Sequence, residues 1–176
     1  QKACELESST MAAILGLENK IVEDICNEIN DIVVVANYNC PGQVVISGSL
    51  KGIEIAYQEL TEAGAKRVLK LPVGGAFHSP LMAPAKEELE KAINDTYFSS
   101  GICPVYQNIT AIGISNPNEI KDNLITQLTS SVRWTQTMQQ MINDGLTSVT
   151  EVGPGKVLQR LFKKMNRELP TSSATL

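Results

Sequence analysis

Apolar positions recur along the first seventy residues with two spacings, and the spacing predicts the elements. Met11 to Leu17 is apolar apart from Gly16 near its end, as a buried strand would be. Ile21, Val22, Ile25, Cys26 and Ile29 follow at three- and four-residue intervals. Glu18, Lys20, Glu23, Asp24 and Glu28 take the opposite face, which is the signature of an amphipathic helix. The β-branched run Ile32 to Ala36 predicts a strand. The turn-rich Asn37-Tyr38-Asn39-Cys40-Pro41-Gly42 and a hairpin partner over Gln43 to Ser47 come next. A second helix over Lys51 to Ala63 stops at Gly64, a C-cap residue, and Lys66 to Leu71 supplies a further strand. The order βαββαβ is the split-βαβ arrangement of a ferredoxin-like unit.

From Pro72 onward the pattern changes. Helices are predicted over Pro80 to Asn94, Asn118 to Gln127, Val132 to Asp144 and Lys156 to Arg167, with strands over Val105 to Thr110 and Thr147 to Val152. Such alternation implies a layered α/β body. Two strands are too few for a sheet that carries helices on both faces, so the α/β part reads as incomplete. The polar tail Pro170 to Leu176 is expected to fray, and neither repeats nor low-complexity segments interrupt the chain.

Composition narrows the class. With 176 residues, 43% hydrophobic and 19% charged, the chain can build a core, and disorder is excluded. A net charge of -4 offers no general basic field, so sequence-independent nucleic-acid binding is disfavoured. No apolar run approaches a membrane span, and Gln1 to Glu5 lacks the basic and apolar stretches of a signal peptide. No membrane partner and a cytoplasmic location are therefore expected. Four cysteines without a C-x-x-C pair, beside a single histidine, make a zinc site implausible and favour free thiols. Lys156, Arg160, Lys163, Lys164 and Arg167 form a basic helix whose simplest reading is a solvated face.

Any imidazole chemistry must run through His78, set in Gly74-Gly75-Ala76-Phe77-His78-Ser79-Pro80. Ser79 can N-cap the helix that begins at Pro80, which leaves His78 on the preceding loop, where it could serve as a general base or merely pack locally. A nucleophile for such a base is missing, because no G-x-S-x-G elbow occurs and Gly113-Ile114-Ser115-Asn116-Pro117 breaks that pattern. Gly153-Pro154-Gly155-Lys156 lacks the Walker A flanks and reads as a tight strand-to-helix turn. Asn37, Asn39 and Gln43 place three amides at one hairpin mouth, where they could stabilise the turn or bind the amides of a ligand.

Four blocks in order carry a resemblance. They are Met11 to Leu17, Ala36-Asn37-Tyr38-Asn39-Cys40-Pro41-Gly42-Gln43-Val44-Val45-Ile46-Ser47-Gly48, Gly75-Ala76-Phe77-His78-Ser79-Pro80-Leu81-Met82 and Glu151-Val152-Gly153-Pro154-Gly155-Lys156-Val157-Leu158. Together they closely resemble the malonyl-CoA:acyl carrier protein transacylases of bacterial fatty acid synthesis, over nearly the whole chain. The resemblance implies an α/β-hydrolase-like body with an inserted ferredoxin-like subdomain. Residues 1–10 would then be the remnant of a helix of the large domain, 11–71 the small subdomain and 72–176 the C-terminal part of the large domain.

It also implies roles. His78 matches the family's base, and Gln127, in Gln127-Leu128-Thr129-Ser130-Ser131-Val132-Arg133-Trp134, would hold it through its backbone carbonyl. Ser131 stands where the family usually has proline. Phe77 would border the acyl pocket, and Asn37 and Asn39 would contact pantetheine. The family's serine elbow and carboxylate-binding arginine lie upstream of the block at Met11, so the N-terminal part of the same enzyme is expected to supply both, and the chain alone is expected to be inactive. Malonyl-CoA and acyl carrier protein are the implied partners, with coenzyme A thioester as substrate and no cofactor. The alternative from a different class is a non-catalytic ligand-binding module built on the ferredoxin-like unit.

Overall fold

The computed structural model describes residues 2–174. Helix α1 (Lys2–Leu6) leads into strand β1 (Ser9–Leu15), helix α2 (Asn19–Glu28), the hairpin β2 (Val33–Cys40) and β3 (Gln43–Ser49), helix α3 (Leu50–Glu62) and strand β4 (Arg67–Lys70). The four strands form one antiparallel sheet in the order β2-β3-β1-β4, which is the order of a ferredoxin-like unit. Alternation along β1 sends Ala12 and Ile14 to the face covered by α2 and α3, where they pack with Val22, Ile46, Ile53, Ala56 and Leu60. Met11, Ala36 and Val45 line the other face against Leu71 and Val73.

The hairpin corrects the reading of Asn37 to Gly42 as a turn. Strand β2 runs on to Cys40, and only Pro41 and Gly42 turn, with Gly42 at φ +72°. The register breaks between Val35 and Asn37 and again between Tyr38 and Cys40, so two bulges absorb the residues that look like a loop. Helix α3 begins as expected, with Ser49 Oγ accepting from Gly52 N at 2.9 Å.

The remaining residues hold helix α4 (Ala83–Asn94), strands β5 (Val105–Tyr106) and β6 (Gly113–Ile114), helices α5 (Pro117–Gln127) and α6 (Trp134–Asn143), strand β7 (Val149–Glu151), helix α7 (Val157–Met165) and strand β8 (Thr171–Ser173). Four short strands stand where two were expected. The strand read over Val105 to Thr110 ends at Tyr106, because Ala111 N donates to Gln107 O at 2.9 Å and the chain reverses into β6. Two-residue strands carry no periodicity for a sequence to display.

The tail does not fray over its described part. Thr171 to Ser173 pair in parallel with β7, and Leu169 is buried beside Met138, Leu161 and Phe162. Thr175 and Leu176 lie outside the described residues. The helix expected from Pro80 opens instead with a 3-10 turn over Pro80–Met82 before α4 starts. The helix expected from Val132 starts at Trp134, because Val132 is drawn into a parallel bridge with Asn37.

Candidate active site

His78 is held on a turn that its own backbone disfavours. Its φ is +58°, a left-handed conformation that costs a non-glycine residue about 1–2 kcal/mol, so its neighbours must impose it. Ser79 is fully buried. It donates from Oγ to Ala76 O at 2.6 Å and accepts from Leu81 N at 3.2 Å, which closes the turn and caps the helical segment after it. Ser9 Oγ accepts from Ala76 N at 3.1 Å and pins the same turn to the start of β1. Gly75 lets the turn approach α1 closely: a Cβ there would stand 2.3 Å from Cys4 Sγ, and the Cys4 side chain would have to give way. With its hydroxyl committed twice, Ser79 is a structural residue rather than a nucleophile.

The ring of His78 is oriented by the end of α5. Its Nδ1 lies 3.2 Å from the backbone oxygen of Gln127, and a carbonyl can only accept, so Nδ1 carries the donated proton. In the neutral ring this leaves Nε2 as the free lone pair. Gln127 is itself secured through its side chain, whose Nε2 donates to Ser130 O at 3.0 Å and Ser131 O at 3.4 Å. Buried Gln107 braces α5 from outside, donating from Nε2 to Ile120 O at 2.8 Å and accepting from Asn123 Nδ2 at 3.0 Å.

Beyond Gln127 the chain crosses to the small sheet. Val132 N donates to Ala36 O and Tyr38 N donates to Val132 O, both at 2.8 Å. Ser131 Oγ donates to Val35 O at 2.5 Å, and Thr135 Oγ1 donates to Tyr38 O at 3.0 Å. Strand β2 is an edge of its sheet, and these bonds satisfy backbone groups that an open edge would leave unpaired. One continuous set of bonds therefore runs from β2 through residues 131 and 132 to Gln127 and His78.

The other sequence-derived candidates fall at different distances from this set. Phe77 precedes His78 directly and is 38% exposed, so its ring is available to a ligand rather than committed to the core. Asn37 and Asn39 are half-buried on β2, and among the described residues neither side chain forms a hydrogen bond. Gln43 is already engaged: its Oε1 accepts from Lys164 Nζ at 2.8 Å and from Cys40 Sγ at 3.6 Å, joining β3 to α7.

Several readings of the sequence gain a physical account. At the Gly153 turn, the carboxylate of Glu151 accepts from Leu158 N at 3.0 Å and Gln159 N at 3.2 Å. The first amides of α7 are thus occupied by a side chain of the protein and cannot cradle a phosphate. These bonds, that of Leu158 foremost, hold the Glu151 carboxyl below its ordinary range. Two residues of the basic helix are tied down, since Lys163 Nζ donates to Arg167 O and Leu169 O while Lys164 reaches Gln43. All four cysteines are unpaired, and burial, reinforced by Glu23 and Glu59, pushes the Cys26 thiol up to about 12. Among the described residues, no group of three or more His, Cys, Asp or Glu is arranged to hold a metal ion, and no helix is long and apolar enough to cross a membrane.

Sequence reasoning missed Ser9, Gln107 and the hydroxyl of Ser131. Each acts on a partner far away in the chain, and no local pattern marks it.

The fold and the sequence have close counterparts among known proteins. Residues 4–176 match the family model of the acyl transferase domain. The chain belongs to that family. Over 164 residues it is 42% identical to the malonyl CoA-acyl carrier protein transacylase of Bacillus subtilis, covering 92% of this chain and 52% of that protein. Over 167 residues it is 39% identical to the enzyme of the same name from Staphylococcus aureus strain COL, covering 93% and 54%. The chain thus spans about half the length of the curated relatives it matches. The crystal structure of an acyl carrier protein S-malonyltransferase from Vibrio cholerae superposes with a TM-score of 0.91 at 39% identity, over 96% of this chain and 56% of that one. A malonyl-CoA:acyl carrier protein transacylase from Xanthomonas oryzae gives 0.93 at 35% identity, over 98% and 56%. A malonyl-transacylase solved in complex with its type II PKS acyl-carrier protein gives 0.90 at 32% identity, over 99% and 58%. The acyltransferase fold accounts for both parts of the chain, a ferredoxin-like βαββαβ unit followed by the C-terminal part of an α/β-hydrolase-like body.

Proposed function

We propose that this chain is the base-bearing part of a cytoplasmic malonyl-CoA:acyl carrier protein transacylase of fatty acid synthesis. The observation that carries the reading is the bond from His78 Nδ1 to Gln127 O, which leaves Nε2 free on a strained, over-determined turn. In this reading residues 1–10 and 72–176 belong to the large domain and 11–71 form the small subdomain, with the first strand of the small sheet reaching back to Ser9. A segment upstream of this chain supplies a nucleophilic serine and an arginine for the malonyl carboxylate.

The reaction is ping-pong acyl transfer. His78 Nε2 takes the serine hydroxyl proton as the serine oxygen attacks the malonyl thioester carbonyl. The tetrahedral adduct collapses, the carbon–sulfur bond breaks, and the imidazolium returns its proton to the departing thiolate of coenzyme A. The phosphopantetheine thiol of acyl carrier protein then gives its proton to the same nitrogen and attacks the seryl ester. Serine leaves as the alkoxide and recovers the proton. Gln127 O keeps the ring in the tautomer that both half-reactions need. Phe77 borders the acyl group, Asn37 and Asn39 face the pantetheine arm, and Gln43, held by Lys164 and Cys40, belongs to the substrate side as part of the hairpin mouth. No cofactor enters these steps.

The test is His78→Ala in the protein joined to its upstream segment, assayed by transfer of labelled malonyl from coenzyme A to acyl carrier protein. Loss of a general base lowers the rate by about 10² to 10⁴ with the fold preserved. Near-native transfer by a folded His78→Ala protein would return His78 to a packing role.

A further inference from the structure

We propose that Ser131 is a positioning residue for His78, acting through Gln127. The inference rests on the reading of His78 as the base, and goes beyond it by naming what holds that base's carbonyl partner in place.

Ser131 stands at a junction of two bonds that point opposite ways. Its hydroxyl donates to Val35 O on β2 at 2.5 Å, and its own carbonyl accepts from Gln127 Nε2 at 3.4 Å. Gln127 O then accepts from His78 Nδ1 at 3.2 Å. The link at β2 is short; nearer the imidazole, Gln127 Nε2 also donates to Ser130 O at 3.0 Å, while its bond to Ser131 O and the bond from His78 to Gln127 O are longer. A shift of a few tenths of an ångström at residues 130 and 131 would therefore break these longer bonds first.

The anchor is rigid. Val35 is buried and faces Ile46 across the β2–β3 ladder, and Ala36, at the bulge, accepts from Val132 N. Among the described residues, the carbonyl of Gln127 accepts, besides His78, only from Ser130 N, at 3.2 Å, within the loop 128–133, whose other ties to β2 and to Asn108 O come at Val132 and Arg133, so its position follows that of the loop. Ser131 is the side chain that fastens this loop on the Gln127 side. Without its hydroxyl the tie from residue 131 to Val35 O is lost, the loop relaxes, and His78 samples the tautomer with the proton on Nε2, which cannot act as base. Ser131 also borders a cavity of about 270 Å³ with Glu23, Cys26, Val35 and Tyr38, which makes Ser131→Thr the conservative variant that keeps a hydroxyl at this position.

The experiment uses the protein joined to its upstream segment and reads both kinetics and the imidazole ¹⁵N resonances of His78, identified by their loss in His78→Ala. The unmodified protein should show the Nδ1–H tautomer. Ser131→Ala should convert that signal to a mixture of tautomers and lower kcat about three- to tenfold, on the scale of one lost hydrogen bond. KM for malonyl-CoA should stay within about twofold, because no substrate contact is removed. Ser131→Thr should restore both readouts. Gln127→Leu breaks the next link without touching β2, and combining it with Ser131→Ala should cost no more than Gln127→Leu alone. If Ser131→Ala does not fold, a single Nδ1–H tautomer in Gln127→Leu overturns the proposal by itself. An unchanged tautomer and kcat in Ser131→Ala, with His78→Ala inactive, overturns the proposal and leaves the base assignment standing. An active His78→Ala protein overturns the assignment on which the proposal rests.

Discussion

Gly48→Ala should be among the most damaging single-methyl additions to the small subdomain. Gly48 pairs with Val33 on one side and Thr10 on the other, near the end of the inner strand β3. A Cβ there would stand 2.1 Å from Ile32 O, 3.0 Å from Ile32 C and 3.0 Å from Val33 Cα. All three are backbone atoms, so no side chain can swing aside, and β2 must move outward. Overpacking of this kind costs about 1–3 kcal/mol. The displaced carbonyl of Ile32 also loses the donor Ser49 N, now at 2.9 Å, which adds about 1 kcal/mol. The sum, about 2–4 kcal/mol, lowers a urea midpoint by roughly 1–2 M. Gly74→Ala is the control, because nothing lies within 4 Å of a Cβ at Gly74 and its φ is not positive. It should be neutral or slightly stabilising. The assay is urea unfolding of the protein joined to its upstream segment, followed by far-ultraviolet circular dichroism. Equal midpoints for Gly48→Ala and Gly74→Ala would refute the argument that β2 is locked against Gly48.

Three further outcomes follow from the site and its surroundings. Phe77→Ser, in the protein carrying its upstream segment, should raise methylmalonyl relative to malonyl transfer by the modest factor worth about 1–3 kcal/mol for one methyl group; an unchanged ratio in competition assays would remove Phe77 from the acyl pocket. The 176-residue chain expressed alone should gain no malonyl group by intact mass and should aggregate by light scattering, since Val152 and Val157 around β7 and α7 are 70% and 62% exposed; a soluble, malonylated monomer would sink that expectation. The Glu151 carboxyl lies below its unfolded value of about 4.3, so its stabilisation is present above that pH and is lost as pH falls through the folded value; Glu151→Gln should flatten the acid limb of a stability–pH profile, and an unaltered limb would show that the α7 amides do not depend on it.

What this sequence determined by itself was local. The runs around Met11 and Ile32, the amphipathic spacing from Ile21 to Ile29 and the stop at Gly64 specify the βαββαβ unit, because each element buries a face that its own periodicity displays. Ser79 and Pro80 likewise announce a helix start, since capping involves residues two or three apart. Tertiary structure decided the rest. The bulges that turn Asn37 to Cys40 into strand, the pairing of β8 with β7, and the bond from Ser131 to Val35 all join partners distant in the chain. Ser131 and Val35 are 96 positions apart, and a hydroxyl at the first carries no trace of the carbonyl at the second. The free energy of such a bond depends on the folded sheet that presents the carbonyl, so the orientation of His78 is a property of the assembled fold rather than of the turn that bears it.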